Sequence, residues 1–273
     1  MTIVGRIDSL WRYPVKSMRG EPLQAAFAGF PGVYGDRVYA IRSSASSKGF
    51  PYFTGREQGQ MLRYRAAFRH PERMAMPPNR AEAEALGPGI TPLYADVADL
   101  AVDVTTPTGE TLAIDDPRLL DLLRDGARDG HQLSVIRSER ALTDCRPFSL
   151  FSLQTARQLS EELGVELGTQ RFRANAYVDL TSGAGFDENE WVGRRLRIGA
   201  KAEIAVTDRD PRCKMITLDP DSGLANPEVM RRVARDHGGT AGVYCAVVVE
   251  GVIREGDEIA LVDYLPITES TTL

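Results

Sequence analysis

The chain has 273 residues, 42% of them hydrophobic and 26% charged, which is long enough for one large domain or two small ones and ordinary for a soluble globular protein. A formal net charge of -5 and an isoelectric point near 5.4 exclude recruitment of nucleic acid by overall charge, though not a local basic pocket. Three cysteines, at 145, 213 and 245, make no disulfide framework, and no apolar run reaches the ~18 residues of a membrane span.

Residues 3–13 alternate weakly and read as a strand that Pro14 ends. The turn after it, YPVKSMRG, gathers Lys16, Ser17 and Arg19, two cations and a hydroxyl suited to a phosphate or simply to a solvated loop. Pro22 to Phe30 is a second strand, GFPGVYGDR a glycine-rich turn, and VYAIR a third strand opened by Arg37. FTGRE then leads into a strand over Met61 to Phe68. From His70 to Gly89 the composition shifts to Pro, Ala, Glu and Arg, as in an exposed loop or short helix. Asp99–Val104 and Glu110–Ile114 flank TPTG as a hairpin. Asp116 caps a helix that has Pro117 in its first turn, and Gln132 to Arg137 is the next strand.

The second half begins with a polar loop, Thr143-Asp144-Cys145-Arg146-Pro147. A buried strand over Phe148 to Leu153 follows, then a helix over Gln154 to Leu163 stopped by Gly164. RFRANAYVDL reads as a strand with two arginines near its start, and DENEWVG as a turn with one buried aromatic. Arg194–Ile198 and Ala202–Thr207 are strands, Pro227–Arg235 a helix, VYCAVVV a core strand holding Cys245, and IREGDEIALV a closing turn and strand. Many short strands separated by turns point to β-barrels or sandwiches, so the fold class is mainly β with some helices (α+β).

The chemistry concentrates in Thr207 to Gly223, TDRDPRCKMITLDPDSG. Cys213 stands there among Arg209, Arg212 and Lys214, and cations around a thiol favour the thiolate, the form that ligates metals and attacks electrophiles. Pro211 suits a strand end, and DPDSG a tight turn, so the cysteine is expected at a strand terminus. A half-buried structural cysteine is the alternative on these residues alone. His70, His131 and His237 show no metal-ligand spacing.

In order, YPVKS, GDR before a strand, FTGRE, TDCRPF, RFRAN, Trp followed by Gly, Arg-Cys before DPDSG, and GVY before GxIRxGD form a pattern. It resembles the MOSC family, the molybdenum cofactor sulfurase C-terminal domain proteins, and within it the branch containing the mitochondrial amidoxime-reducing component and bacterial relatives. The resemblance implies an N-terminal MOSC-type β-barrel domain over residues 1–125, a MOSC β-barrel domain over 126–265 and a tail at 266–273. It also implies a molybdenum cofactor, with Cys213 as metal ligand and catalytic residue. Lys16, Ser17 and Arg37 match phosphate- and pterin-contacting positions, Thr143 and Asp144 a pterin-contacting loop, Arg173 and Asn175 the FRxN contacts, and Arg212 and Tyr244 further pocket positions. Two departures stand out: Asp210-Pro211 replaces a common Cys-Ser, and Cys145 replaces a small hydroxyl residue, bringing a second thiol toward the cofactor.

The expected function is reduction of N-hydroxylated compounds such as amidoximes and hydroxylamines by a molybdenum-dependent oxidoreductase. The alternatives are a cofactor carrier or sulfur-transfer protein with a Cys213 persulfide, and a MOSC fold acting only as a binding module. The sequence contains no GxGxxG unit and no cysteine cluster, so no flavin, iron–sulfur or haem group is expected in this chain, and electrons must come from a ferredoxin- or flavin-type partner. A cytoplasmic protein without membrane or nucleic-acid partners completes the expectation.

Overall fold

In the computed structural model the described residues are 1–86, 95–125, 130, 132–138 and 141–262. The expected tail at 266–273, the junction at 125/126, His131 and the end of the Pro/Ala-rich stretch at Gly89 fall wholly or partly outside them.

The first half contains strands β1 (Thr2–Arg12), β2 (Glu21–Leu23), β3 (Ala25–Gly29), β4 (Gly32–Val33), β5 (Tyr39–Ser43), β6 (Tyr52–Phe53) and β7 (Arg65–Phe68), then helix α1 (Arg80–Leu86), strands β8 (Val102–Thr105) and β9 (Thr111–Ala113), helix α2 (Pro117–Arg124) and strand β10 (Leu133–Arg137). The second half contains β11 (Phe148–Ser152), α3 (Leu153–Leu163), β12 (Ala176–Leu180), β13 (Arg195–Ile198), β14 (Ala202–Pro211), α4 (Pro227–Asp236), β15 (Thr240–Val249), β16 (Gly251–Arg254) and β17 (Glu258–Val262). The chain is thus mainly β. No helix among the described residues is long and apolar enough to cross a membrane.

Seven strands close on themselves in the order β12-β11-β15-β14-β13-β17-β1, and the additional pairing of β1 with β12 completes the barrel. Six of the seven come from the second half, so the first strand of the chain is built into the barrel of the last. Alternation along β14 and β1 sends Ile204, Val206, Ile7 and Leu10 into one apolar cluster with Leu196, Ile198, Val243, Cys245 and Ile259. A second cluster joins Ile41, Phe53, Met61, Val102, Val104 and Leu112 beneath α2. Its strands form two three-stranded sheets, β10-β5-β6 and β7-β8-β9. A third seals α3 and α4 against Phe151, Phe172 and Tyr177.

Local chemistry sets the element ends. Asp116 caps α2 by accepting from the Arg118 amide, Ser152 caps α3, and Gly164 ends α3 in the left-handed conformation. Two expected strands are shorter than their sequences suggest. Gly59–Arg63 forms a 3-10 turn before β7, its Gln58 side chain capping Gln60. Residues 169–172 form another 3-10 turn, and Arg173 turns left-handed (φ 57°), so β12 begins only at Ala176. Similarly, Arg37 (φ 48°) lies in the turn before β5 rather than opening it.

Candidate functional site

One cavity of about 300 Å³ lies where the first-half loops meet the end of the barrel. Lys16, Ser17, Arg37, Thr143, Asp144, Cys145, Arg173, Asn175, Arg212, Cys213 and Tyr244 all line it, although they span more than two hundred positions of sequence. Arg56, Arg146 and Arg171 bring its basic residues to seven, against the two carboxylates Asp144 and Asp210. An acidic chain has therefore gathered local cations around one hollow, the electrostatic arrangement of an anion site.

The Lys16 turn is held by the barrel strand and by β5. Pro14 ends β1, the Lys16 amide donates to the Tyr39 carbonyl (2.8 Å), and Ser17 takes a left-handed conformation (φ 66°). The Lys16 ammonium is buried among Phe50, Tyr52, the Leu142 carbonyl and Asp144. Burial pushes its pKa down to about 8, aided by Arg37 and Arg173 and opposed by Asp144. At Asp144, burial works upward, but Lys16 and Arg56 outweigh it and hold the carboxyl below its usual range.

Tyr13 organises the next pair of cations. Its buried ring sits under the Arg37 guanidinium (4.7 Å) and the Arg173 guanidinium (4.4 Å). Asp36 accepts from the Tyr13 amide (2.8 Å) and also pairs with Arg37. Arg37 Nη2 donates to the Arg173 carbonyl (3.0 Å), and Arg173 Nη1 to the Met18 carbonyl (2.8 Å). Arg173 Nη2 is buried without a hydrogen-bond partner among the described residues. Burial, with the Arg37 charge adding to it, lowers the Arg173 pKa to about 10.

Cys213 follows the end of β14 and stands just before a 3-10 turn, Lys214–Thr217, at the strand terminus that Pro211 suits. The cation at its sulfur is not one of its sequence neighbours. Arg209 is exposed, and Lys214 donates to the Arg56 carbonyl. Arg212 is held by Asp210 (2.8 Å) and by the Ala241 and Phe172 carbonyls (2.6 and 2.9 Å). Arg56 supplies the contact instead, with Nη2 at 3.3 Å from Cys213 Sγ and 2.8 Å from Asp144 Oδ2. Sequence reasoning passed over Arg56 because only the fold brings FTGRE to the cysteine.

Asp210, which departs from the family pattern, has a visible partner. The carboxyl is 3% exposed, and burial raises its pKa while the Arg212 charge opposes. It pairs with Arg212 at the cavity wall. Two residues before the arginine, at a strand end, was the available signal. Arg171, within RFRAN, also lines the cavity. It bonds the Ile216 carbonyl (3.1 Å) and Asp219 (3.2 Å), tying the DPDSG turn to the cavity. Asn175 accepts from the Ser149 amide (3.2 Å) and donates to the Trp11 carbonyl (3.4 Å), so much of its amide joins β1 to β11. Cys145 is exposed at the cavity rim and Cys245 is fully buried.

Residues 137–260 match the family model of the MOSC domain, and residues 4–116 that of the MOSC N-terminal beta barrel domain. The molybdenum cofactor sulfurase of Bombyx mori is 28% identical over 161 residues, 54% of this chain and 19% of that protein. Molybdenum cofactor sulfurase 2 of Culex quinquefasciatus is 30% identical over 141 residues, 47% of this chain and 18% of that protein. The chain thus spans about a fifth of the length of these relatives. Among solved structures, the YUAD protein from Bacillus subtilis is similar at a TM-score of 0.48 and 13% identity, covering 96% of this chain and 98% of that one. YiiM from Geobacillus stearothermophilus is similar at 0.35 and 19%, covering 43% and 55%. With both family models matched in succession, the chain belongs to the MOSC family, as a MOSC domain preceded by a MOSC N-terminal beta barrel domain.

Proposed function

We propose that this chain binds the molybdenum cofactor in the Cys213 cavity and reduces N-oxygenated compounds, such as amidoximes and hydroxylamines, with electrons from a partner protein. The observation that carries the reading is a free thiol beside a strongly basic lining, in one cavity of an acidic chain. The residues present fit the group. Cys213 offers one soft ligand, suited to molybdenum. Among the described residues no three His, Cys, Asp or Glu side chains are grouped to hold a metal, so a metal here needs ligands from its own organic moiety. The unpartnered Arg173 Nη2 is a buried donor that an anionic oxygen would satisfy.

Lys16, Ser17, Arg37 and Arg173 would hold the anionic end of the cofactor by charge-assisted hydrogen bonds. Asp144, kept ionised by Lys16 and Arg56, would accept from ring and amino N–H groups, with Thr143, Asn175, Arg212 and Tyr244 completing the wall. When bound, the cofactor supplies the two-electron chemistry that takes oxygen from the substrate. The chain itself positions the group, balances its charge and keeps Cys213 at a half-buried cavity wall. The electrons would arrive on a ferredoxin- or flavin-type protein.

The names of the curated relatives favour a second reading, a cofactor-linked sulfur-transfer or carrier role in which Cys213 holds a persulfide. Protein made in a cofactor-competent host separates the two. Molybdenum and pterin fluorescence in the purified chain, with amidoxime reduction by an artificial donor, is the expected result. Bound cofactor that supports no reduction with any donor, together with cyanide-labile sulfur, would replace the first reading by the second. Absence of both molybdenum and pterin would leave only a binding-module role for the fold.

A further inference from the structure

We infer that Arg56 is a positioning and charge-selecting residue at the Cys213 sulfur, favouring the approach of anionic over neutral groups. Its Nη2 is shared between Cys213 Sγ (3.3 Å) and Asp144 Oδ2 (2.8 Å). Asp144 Oδ1 in turn takes the Lys16 ammonium. A continuous line of side chains therefore runs Lys16–Asp144–Arg56–Cys213, and through Arg56 the first half of the chain reaches the sulfur.

The backbone around Arg56 is fixed independently of that contact. Thr54 donates to Glu57 through its amide and its hydroxyl (2.8 and 2.7 Å), and its hydroxyl accepts from the Arg56 amide (3.2 Å). The Arg56 carbonyl takes the Lys214 ammonium (2.8 Å), the residue next to Cys213. A Cβ at Gly55 would meet Leu62 Cδ1 at 2.6 Å and, on the cysteine segment, Met215 Sδ at 3.0 Å. The guanidinium lies over the Phe50 ring (4.9 Å). Backbone and ring thus hold the arginine in place before it reaches the sulfur.

A guanidinium is always charged and carries five donors. The two bonds just described use Nη2; Nε and Nη1 make no hydrogen bond among the described residues. The side chain is 28% exposed, so these donors remain open to a ligand in the cavity or at its mouth. Among the described residues Arg56 is the cation that hydrogen-bonds the Cys213 sulfur, so an anion brought to the sulfur meets its charge at short range. At about 6 Å and an effective dielectric of about 40, one charge changes the encounter with an anion by about tenfold.

The test needs no cofactor. Cys213 is alkylated with iodoacetate, an anion, and with iodoacetamide, its neutral counterpart, and peptide mapping separates it from Cys145. In each case sulfur forms a bond to the CH2 carbon and iodide leaves with its electron pair. The ratio of the two rates at one pH cancels the fraction of reactive thiolate. Arg56→Gln should lower that ratio at Cys213 about tenfold, whereas Arg56→Lys should keep it within about threefold. Arg146→Gln, which removes a cavity cation paired with Asp208 instead, should leave it within about twofold. Arg56→Met is run beside Arg56→Gln, with thermal unfolding as a fold check. An unchanged ratio in the folded Arg56→Gln or Arg56→Met protein overturns the inference, as does an equal fall in Arg56→Lys. In cofactor-loaded protein the same substitution should lower the preference for a carboxylate-bearing amidoxime over its neutral analogue. That last arm rests on the reductase reading; absence of turnover would count against that reading, and the thiol ratio would still decide Arg56.

Discussion

Lys16→Met should make the protein more stable while weakening its hold on an anionic ligand. The Lys16 side chain is 6% exposed, and burial brings its pKa from 10.5 to about 8 despite Asp144. That gap costs about 3 kcal/mol of folding free energy at pH 7, because the unfolded chain binds the proton more tightly than the folded one. The cost is full below pH 8, falls as pH rises, and vanishes above about 10.5, where neither state is protonated. Methionine fills similar space without a charge, leaving Asp144 paired with Arg56. Loss of the bond to the Leu142 carbonyl and of the contacts with Phe50 and Tyr52 offsets about 1 kcal/mol. Urea unfolding at pH 7 should therefore show Lys16→Met ahead by about 2 kcal/mol, and at pH 9.5 the lead should shrink to about 1 kcal/mol or less. Purified Lys16→Met should retain less molybdenum than the wild type. A variant less stable than wild type at pH 7, or a difference independent of pH, would refute the reasoning.

Cys213→Ser should abolish amidoxime reduction and leave the melting temperature unchanged; full turnover with molybdenum bound would sink the ligand assignment. Cys245→Ala removes a fully buried sulfur from the barrel core and should cost about 1–3 kcal/mol, with activity per folded molecule kept. Gly242→Ala puts a Cβ 2.8 Å from the Phe151 ring and 2.9 Å from the Leu150 carbonyl, at φ 78°, and should cost about 2–4 kcal/mol in chemical unfolding. The loaded chain should turn over with an artificial donor or a ferredoxin- or flavin-type partner but not with NADH or NADPH alone; NAD(P)H-dependent turnover by the isolated chain would reveal an unrecognised redox site.

The local elements were legible where local chemistry decides them. Asp116-Pro117 announces α2, Gly164 ends α3, and TPTG joins β8 to β9 because caps and turns need particular residues at fixed offsets. RFRAN misled because its alternation suits a strand, yet left-handed Arg173 delays β12 to Ala176. Membership of β1 in the barrel was not legible, since pairing across about 170 residues leaves no local trace. The same limit hid Arg56. Sequence placed Arg209, Arg212 and Lys214 around Cys213 by proximity along the chain, but side chains that flank a residue at a strand end point different ways.

Backbone strain falls in the same place as the charge. Of four non-glycine residues with positive φ among the described residues, Ser17, Arg37 and Arg173 line the cavity. Each left-handed residue costs about 1–2 kcal/mol, and nothing in apolar burial requires it there. The conformations persist because hydrogen bonds fix the neighbouring backbone: Lys16 to Tyr39, Arg37 to Tyr13, and Arg173 to Gln170. They also bring two guanidinium groups to one tyrosine ring, where their like charges oppose each other. Asp36 pairs with Arg37, while Arg173 keeps one buried donor without a partner. An anion at this point would relieve the repulsion and satisfy the donor together, without moving the backbone. A site shaped for packing alone would have turned these arginines outward, where neither strain nor repulsion arises. Their inward placement against both costs is the physical argument that the cavity is preorganised for a negatively charged ligand.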